Sequence, residues 1–201
     1  MPKLHTLIDF FRNTIYRLIN LSVNLRIKSL PNVSIGSGSK FIKRPIIRIA
    51  NGSRLVIGDN VIINSDKEKY HLNMHSPSKL LLDRPGGKII IGSNTRIHGT
   101  CIHAYSLVEI GNNCLIAANT QIMDCNGHDL SFQDVSNRIN TKGEIRDVFI
   151  ESNVWIGTNV VVLPGVTIGE GSIISANSVV NRSIPKMCIA GGNPAVVLKQ
   201  Y

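Results

Sequence analysis

The chain has 201 residues, of which 43% are hydrophobic, 17% charged and 5% aromatic, and its formal net charge is +9. This length suits one domain with ample room for a core, and the composition excludes a disordered chain. The basic residues are scattered, without a basic motif interleaved with aromatics, so no nucleic-acid partner is expected; an anionic cofactor or a negatively charged membrane surface would account for the charge equally well.

Residues 1–32 form a first region. Leu4, Leu7, Ile8, Phe11, Ile15, Leu18, Ser22 and Leu25 fall on one helical stripe, with Arg12, Arg17 and Arg26 at other positions. Asp9 and Arg12 interrupt the apolar run, which argues against a secretory signal and against a spanning helix. The amphipathic helix would either cap a neighbouring structure or lie peripherally on the inner face of a membrane.

Residues 33–201 carry a different period. Ile150, Ile156, Val162, Ile168 and Ile174 each open one of five consecutive hexapeptides, often followed by Gly or another small residue. Ile35-Gly36, Ile57-Gly58, Ile91-Gly92, Ile97, Ile110-Gly111 and Ile116 extend the series upstream, with a displacement of one residue between the Ile91 and Ile110 blocks. Six is neither the helical nor the simple strand period. It fits a coiled strand, in which three hexapeptides close a triangular turn of roughly eighteen residues and the aliphatic positions stack inward. Such coils need neighbours for stability and caps at their ends.

Two stretches interrupt the beat. Residues 64–88 are polar and include His71 and His75, and residues 124–146 contain Asn126-Gly127-His128-Asp129. Long loops of this kind are often functional. The four cysteines lack metal-like spacing. Cys101 and Cys114 fall at the fifth hexapeptide position and read as small buried filler, whereas Cys125 lies beside the second interruption. Reduced thiols suit a reducing compartment, hence a cytoplasmic protein.

Three segments taken together carry a resemblance: Val154-Trp155-Ile156-Gly157, Leu163-Pro164-Gly165-Val166-Thr167-Ile168-Gly169, and the ending Ile189-Ala190-Gly191-Gly192-Asn193-Pro194-Ala195. With the repeats and the loop, they resemble the hexapeptide-repeat acyltransferases, and more narrowly the sugar O-acetyltransferases that include galactoside, maltose, O-antigen and capsule enzymes. The resemblance implies a left-handed parallel β-helix with an N-terminal helix, a protruding loop and a C-terminal cap. It also implies a homotrimer with active sites between subunits, acetyl-CoA as acyl donor, a sugar hydroxyl as acceptor, and no metal.

The resemblance places the catalytic base at His128, in the loop after the coil Ile110–Ile122. An alcohol holds its proton tightly, and a neutral imidazole in reach can remove it as oxygen attacks the thioester. Asp124 and Asp129 are candidates to orient that imidazole, although both suit turn chemistry. Asn126, Trp155 and His98 are candidate acceptor contacts, with His71, His75 and His103 weaker ones. Thr158, Ala176, Asn181, Arg182 and Lys199 match the family's contacts to coenzyme A. A γ-type carbonic anhydrase is a second reading, because His98 and His103 have the separation of two zinc ligands in that family. A non-catalytic β-helical scaffold is a third. O- and N-acetylation are not separated by the sequence.

Overall fold

The computed structural model describes residues 2–201, with side chains from Asp9 onward. From Val33 the chain winds into a parallel coil with three faces. The first face carries Val33–Ile35, Arg54–Ile57, Lys88–Ile91, Leu107–Ile110, Val148–Ile150 and Thr167–Ile168. The second carries Lys40–Ile42, Ile62–Asn64, Arg96–His98, Leu115–Ile116, Trp155–Ile156, Ile173–Ile174 and Cys188–Gly192. The third carries Ile46–Ile49, Lys79–Leu82, Cys101–His103, Gln121–Met123, Val161–Val162 and Val179–Val180. The final strand, Ala195–Gln200, turns back antiparallel on Cys188–Gly192 and closes that end of the second face.

The opening residues of the hexapeptides form the interior. Ile57, Ile91, Ile110, Ile150 and Ile168 are successive register partners on the first face. Phe41, Ile63, Ile97, Ile116, Ile156 and Ile174 form the second column. Leu80, Ile102, Ile122, Val162 and Val180 form the third. All are buried in one core. Burying each such side chain is worth roughly 1.5–3 kcal/mol, so the aliphatic columns hold the coils together.

The corner between the first and second faces explains the recurrent glycine. A Cβ on Gly58, Gly92 or Gly111 would lie 2.5–2.7 Å from backbone atoms of the next coil. Two residues further on, Asn60, Asn94, Asn113 and Asn153 take left-handed φ of 55–63°. Their side-chain amides form a ladder: Asn94 Nδ2 donates to Asn113 Oδ1 at 3.2 Å, Asn113 to Asn153 at 3.2 Å, and Asn153 to Glu170 at 3.0 Å. Asparagine tolerates this backbone region better than other side-chain-bearing residues.

The structure corrects the sequence reading in two places. The interruption expected over 64–88 contains the strand Lys79–Leu82, whose Leu80 and Leu82 are core residues. Its opening hexapeptide residue is Leu without a following Gly, which hid the coil. Cys101 is only half-buried, because Ile102 takes the inward position in that strand. The helix Pro2–Lys28 meets the first coils through Tyr16, Asn20, Val23, Asn24 and Ile27, while Phe11, Leu18 and Leu25 of its apolar stripe are exposed; Leu4, Leu7 and Ile8 lie outside the residues whose side chains are described. The cause is the edge strand Lys40–Ile42. Asn24 takes both backbone groups of Phe41, each at 2.9 Å, and Asn20 Oδ1 accepts from Lys43 N at 2.9 Å. Amides on the helix thus satisfy edge groups that no further coil can reach.

Replacing Asn113 by alanine removes both rungs of the ladder and leaves a Cβ in left-handed backbone. It is expected to cost about 1–2 kcal/mol in urea unfolding. Asn113→Gly also lacks the rungs but relieves the backbone, so it should be the milder of the two changes.

Candidate active site

Outward positions on the second face line up as the inward ones do. Arg96, Leu115, Trp155 and Ile173 are register partners, so their side chains form one surface column. Beside it, the irregular segment 65–78 lies across the corner between the second and third faces. Asn119 fastens it there, donating through Nδ2 to Asn73 O and accepting at Oδ1 from His75 N, both at 2.9 Å. Met74 is buried against Gly99. Tyr70, His71 and Leu72 thereby wall a groove of about 580 Å³ that runs over Trp155 and the small residues Ala117, Gly157 and Ala176.

His98 lies at one end of this groove. The Tyr70 ring stacks on it with centroids 4.5 Å apart and 24° between planes, and Asn64 Nδ2 is 3.4 Å from its Nδ1. Burial, followed by the charges of His71 and Arg96, pulls its pKa down to about 4, so the imidazole is neutral at physiological pH. Five of the residues singled out from the sequence, His71, His98, Trp155, Thr158 and Ala176, line this one groove. Trp155 is 52% exposed, and the Thr158 hydroxyl donates to Ala118 O at 2.7 Å.

The segment 124–146 leaves the coil at another corner, between the third and first faces. Asp124 is 1% exposed, and its carboxylate accepts the backbone N–H groups of Tyr105, Ser106 and Leu107 at 2.7–3.0 Å. Those bonds tie down the corner beneath the loop. Asp129 closes a turn: its N–H donates to Thr141 Oγ1 at 2.9 Å, and its Oδ1 accepts from Ser131 N at 3.1 Å. Among the described residues neither carboxylate hydrogen-bonds to the His128 ring. His128 and Asn126 are exposed, while Cys125 is buried with Gly143 O 3.6 Å from its Sγ. The loop's outer surface is apolar, with Leu130, Phe132, Val135 and Ile139 all 60–78% exposed.

In a three-sided coil, the corner between the third and first faces lies opposite the second face. His128 and the groove are therefore on opposite sides of one chain. The donor residues divide the same way. Thr158 and Ala176 border the groove, whereas Asn181 and Arg182 follow Val179–Val180 onto the edge that bears His128. Lys199 lies apart on the final strand.

His103 is on the third face, where its Nε2 is 2.8 Å from Asp83 Oδ1. His98 belongs to the second face, so the two histidines do not converge as ligands of one zinc ion. Among the described residues no group of three His, Cys, Asp or Glu side chains could hold a metal.

Residues 147–182 match the family model described as bacterial transferase hexapeptide (six repeats). The Escherichia coli (strain K12) protein WbbJ, named provisionally as a lipopolysaccharide biosynthesis O-acetyl transferase, is 35% identical over 147 residues, which cover 70% of this chain and 75% of that protein. The chain belongs to the hexapeptide-repeat acyltransferases. Galactoside O-acetyltransferase of the same strain is 38% identical over 57% of this chain, a stretch spanning 55% of that enzyme. The hexapeptide-repeat acetyltransferase VCA0836 of Vibrio cholerae O1 biovar eltor, solved with acetyl-coenzyme A, superposes with a TM-score of 0.52 at 36% identity, covering 56% of this chain and 60% of that one. The three-faced coil is thus the left-handed parallel β-helix of sugar O-acetyltransferases, and the protein is an acetyltransferase.

Sequence reasoning missed Tyr70, Arg96 and Leu115 in this acetyltransferase's groove. Arg96 and Leu115 were within reach, since residues in the same column as Trp155 recur once per coil. Nothing in the sequence of segment 65–78 indicated that Tyr70 would fold back over His98.

The depressed pKa of His98 predicts how stability depends on pH. In the unfolded chain histidine titrates near 6.5. Because the folded value is lower, its stabilising contribution is complete above about pH 6.5 and is lost as pH falls toward 4. Thermal unfolding from pH 7 to 4 should show a smaller loss for His98→Asn than for the parent protein; equal losses would contradict a neutral, buried His98.

Proposed function

We propose that the protein transfers the acetyl group of acetyl-CoA to a sugar hydroxyl, at a site completed by a second copy of the chain in a homotrimer. The carrying observation is the opposite placement of His128 and the groove, which no single chain can bring together. The exposed apolar side of the His128 loop and the apolar groove are complementary surfaces for such a contact. The edge of one subunit would supply His128, Asn126, Asn181 and Arg182. The facing groove would supply Trp155, Thr158, Ala176 and His98.

In this reading His128 is the general base. As the acceptor hydroxyl oxygen bonds to the thioester carbonyl carbon, its proton passes to the imidazole. The carbonyl oxygen becomes an oxyanion, which a backbone N–H or the Trp155 indole N–H would stabilise. Collapse breaks the C–S bond, and the proton returns to the departing thiolate, leaving a sugar acetate and free coenzyme A. Small residues at Ala117, Gly157 and Ala176 leave room for the slender pantetheine arm, and Arg182 and Lys199 supply charge for the nucleotide phosphates. Neutral His98 and the Tyr70 ring form a polar and aromatic end of the groove suited to the acceptor.

Names among the relatives support a glycan acceptor of the cell surface: WbbJ is linked to lipopolysaccharide, and an Escherichia coli O1:K1 relative, 30% identical over 65% of this chain, is a polysialic acid O-acetyltransferase. Four free cysteines favour the cytoplasm. His103, paired with Asp83, gives a second reading of the base, because it is the arrangement in which a carboxylate orients an imidazole.

Release of coenzyme A, measured against a panel of sugars and amino sugars, tests both readings. The His128→Ala variant should lose about 100-fold or more in kcat with KM for acetyl-CoA nearly unchanged. Full turnover in His128→Ala together with loss in His103→Ala would transfer the base to His103. Cleavage confined to amino sugars would make the enzyme an N-acetyltransferase.

A further inference from the structure

The helix Pro2–Lys28 carries apolar side chains on both its docked and its outward side. Its docked side packs Val23 and Ile27 on the core and adds polar anchors: the Tyr16 hydroxyl donates to Asp66 Oδ2 at 2.7 Å, and Asn20 and Asn24 hold the edge strand. From Phe11 onward its apolar stripe faces away from the coil. Phe11, Leu18 and Leu25 recur at every seventh position on that side, each 56–61% exposed, and Ile15 and Leu21 widen it. Arg17 flanks the stripe on one side and Arg26 on the other when residues are placed at 3.6 per turn. Asp9 is the one acidic residue in the helix sequence.

A second feature adjoins it. Between the helix and segment 65–78 lies a polar cleft of about 400 Å³, lined by Arg12, Tyr16, Lys43 and Lys69 together with Asp9 and Glu68. Lys69 Nζ sits 3.7 Å from the centroid of the Tyr16 ring, and Lys43 Nζ 5.3 Å. Three cations against two carboxylates leave this cleft positive, beside an apolar helix face.

We propose that the outward face of this helix docks on an anionic lipid bilayer, with Phe11, Leu18 and Leu25 in the interface and Arg17, Arg26 and the Arg12–Lys43–Lys69 cleft against headgroup phosphates. The helix lies in the plane of the surface, since no helix of the described residues is long and apolar enough to cross a membrane. The flanking arginines decide between lipid and a second copy of the chain. A guanidinium beside the apolar stripe can lay its stem on the acyl boundary and keep its charge among phosphates. A second copy would instead set this same net-positive surface against itself, like charge facing like charge. The helix is fastened to the first coils, so that end of the coil would rest on the bilayer. The inference stands apart from the acetyl-transfer reading and is tested without turnover.

The test is co-sedimentation of the full chain with vesicles of phosphatidylcholine alone or with 30% phosphatidylserine. Binding to the anionic vesicles is expected to exceed binding to the neutral ones by at least about tenfold in 0.1 M salt and to fall sharply in 0.5 M. A Phe11→Ser/Leu18→Ser/Leu25→Ser variant should lose this binding with its circular dichroism and sedimentation coefficient unchanged. Arg17→Gln/Arg26→Gln should lose the preference for phosphatidylserine. Absence of binding by the parent protein would overturn the proposal. So would a triple-serine variant that dissociates in sedimentation velocity yet binds vesicles as before, which would make the stripe a subunit contact.

Discussion

The registered stacking of one aliphatic residue per face per coil is the constraint on which the rest of the molecule depends. Ile116 lies under Ile156 and Ile156 under Ile174 because the parallel backbone ladder admits no other register without turning a column outward. The same register then governs the surface. Arg96, Leu115, Trp155 and Ile173 form an outward column because their neighbours Ile97, Ile116, Ile156 and Ile174 form an inward one. Gly111 and Asn113 serve it at the corner, the first by allowing close approach of the next coil and the second by tolerating left-handed backbone.

Function enters where the regular coil is interrupted. Each interruption is fastened to the coil by a specific polar device. Asn119 holds segment 65–78 at both of its amide atoms, and Asp124 gathers three backbone donors under segment 124–146. The first segment brings Tyr70 onto His98 and walls the groove. The second carries His128 away from the opposite edge. The buried Asp124 carboxylate thus fixes where the loop leaves the coil.

The repeats made the coil legible from sequence because the aliphatic period reports burial directly. Trp155 could likewise be placed outward, since its neighbour Ile156 opens a hexapeptide. Lys79–Leu82 was hidden because Leu80 replaces the usual Ile-Gly pair and the long segment 65–78 precedes it. The roles of Asp124 and Asp129 were open in sequence, since the same residue type accepts backbone N–H groups and orients imidazoles; that Asp124 gathers the N–H groups of Tyr105, Ser106 and Leu107 is visible only once the coils are stacked. The helix stripe was readable, but its direction was not. Its docking face was selected by the unpaired backbone of Phe41 and Lys43, which periodicity does not register.

The central claim is that a groove on one subunit works with His128 from another, and mixing two inactive variants tests it most directly. His128→Ala keeps the groove, and Ala176→Trp, at an exposed position, fills it. Unfolded separately, combined in equal amounts and refolded together, they should regain activity at roughly one quarter of their interfaces, where an intact loop meets an intact groove. Co-refolded mixtures no more active than the separate variants would contradict a site shared between subunits.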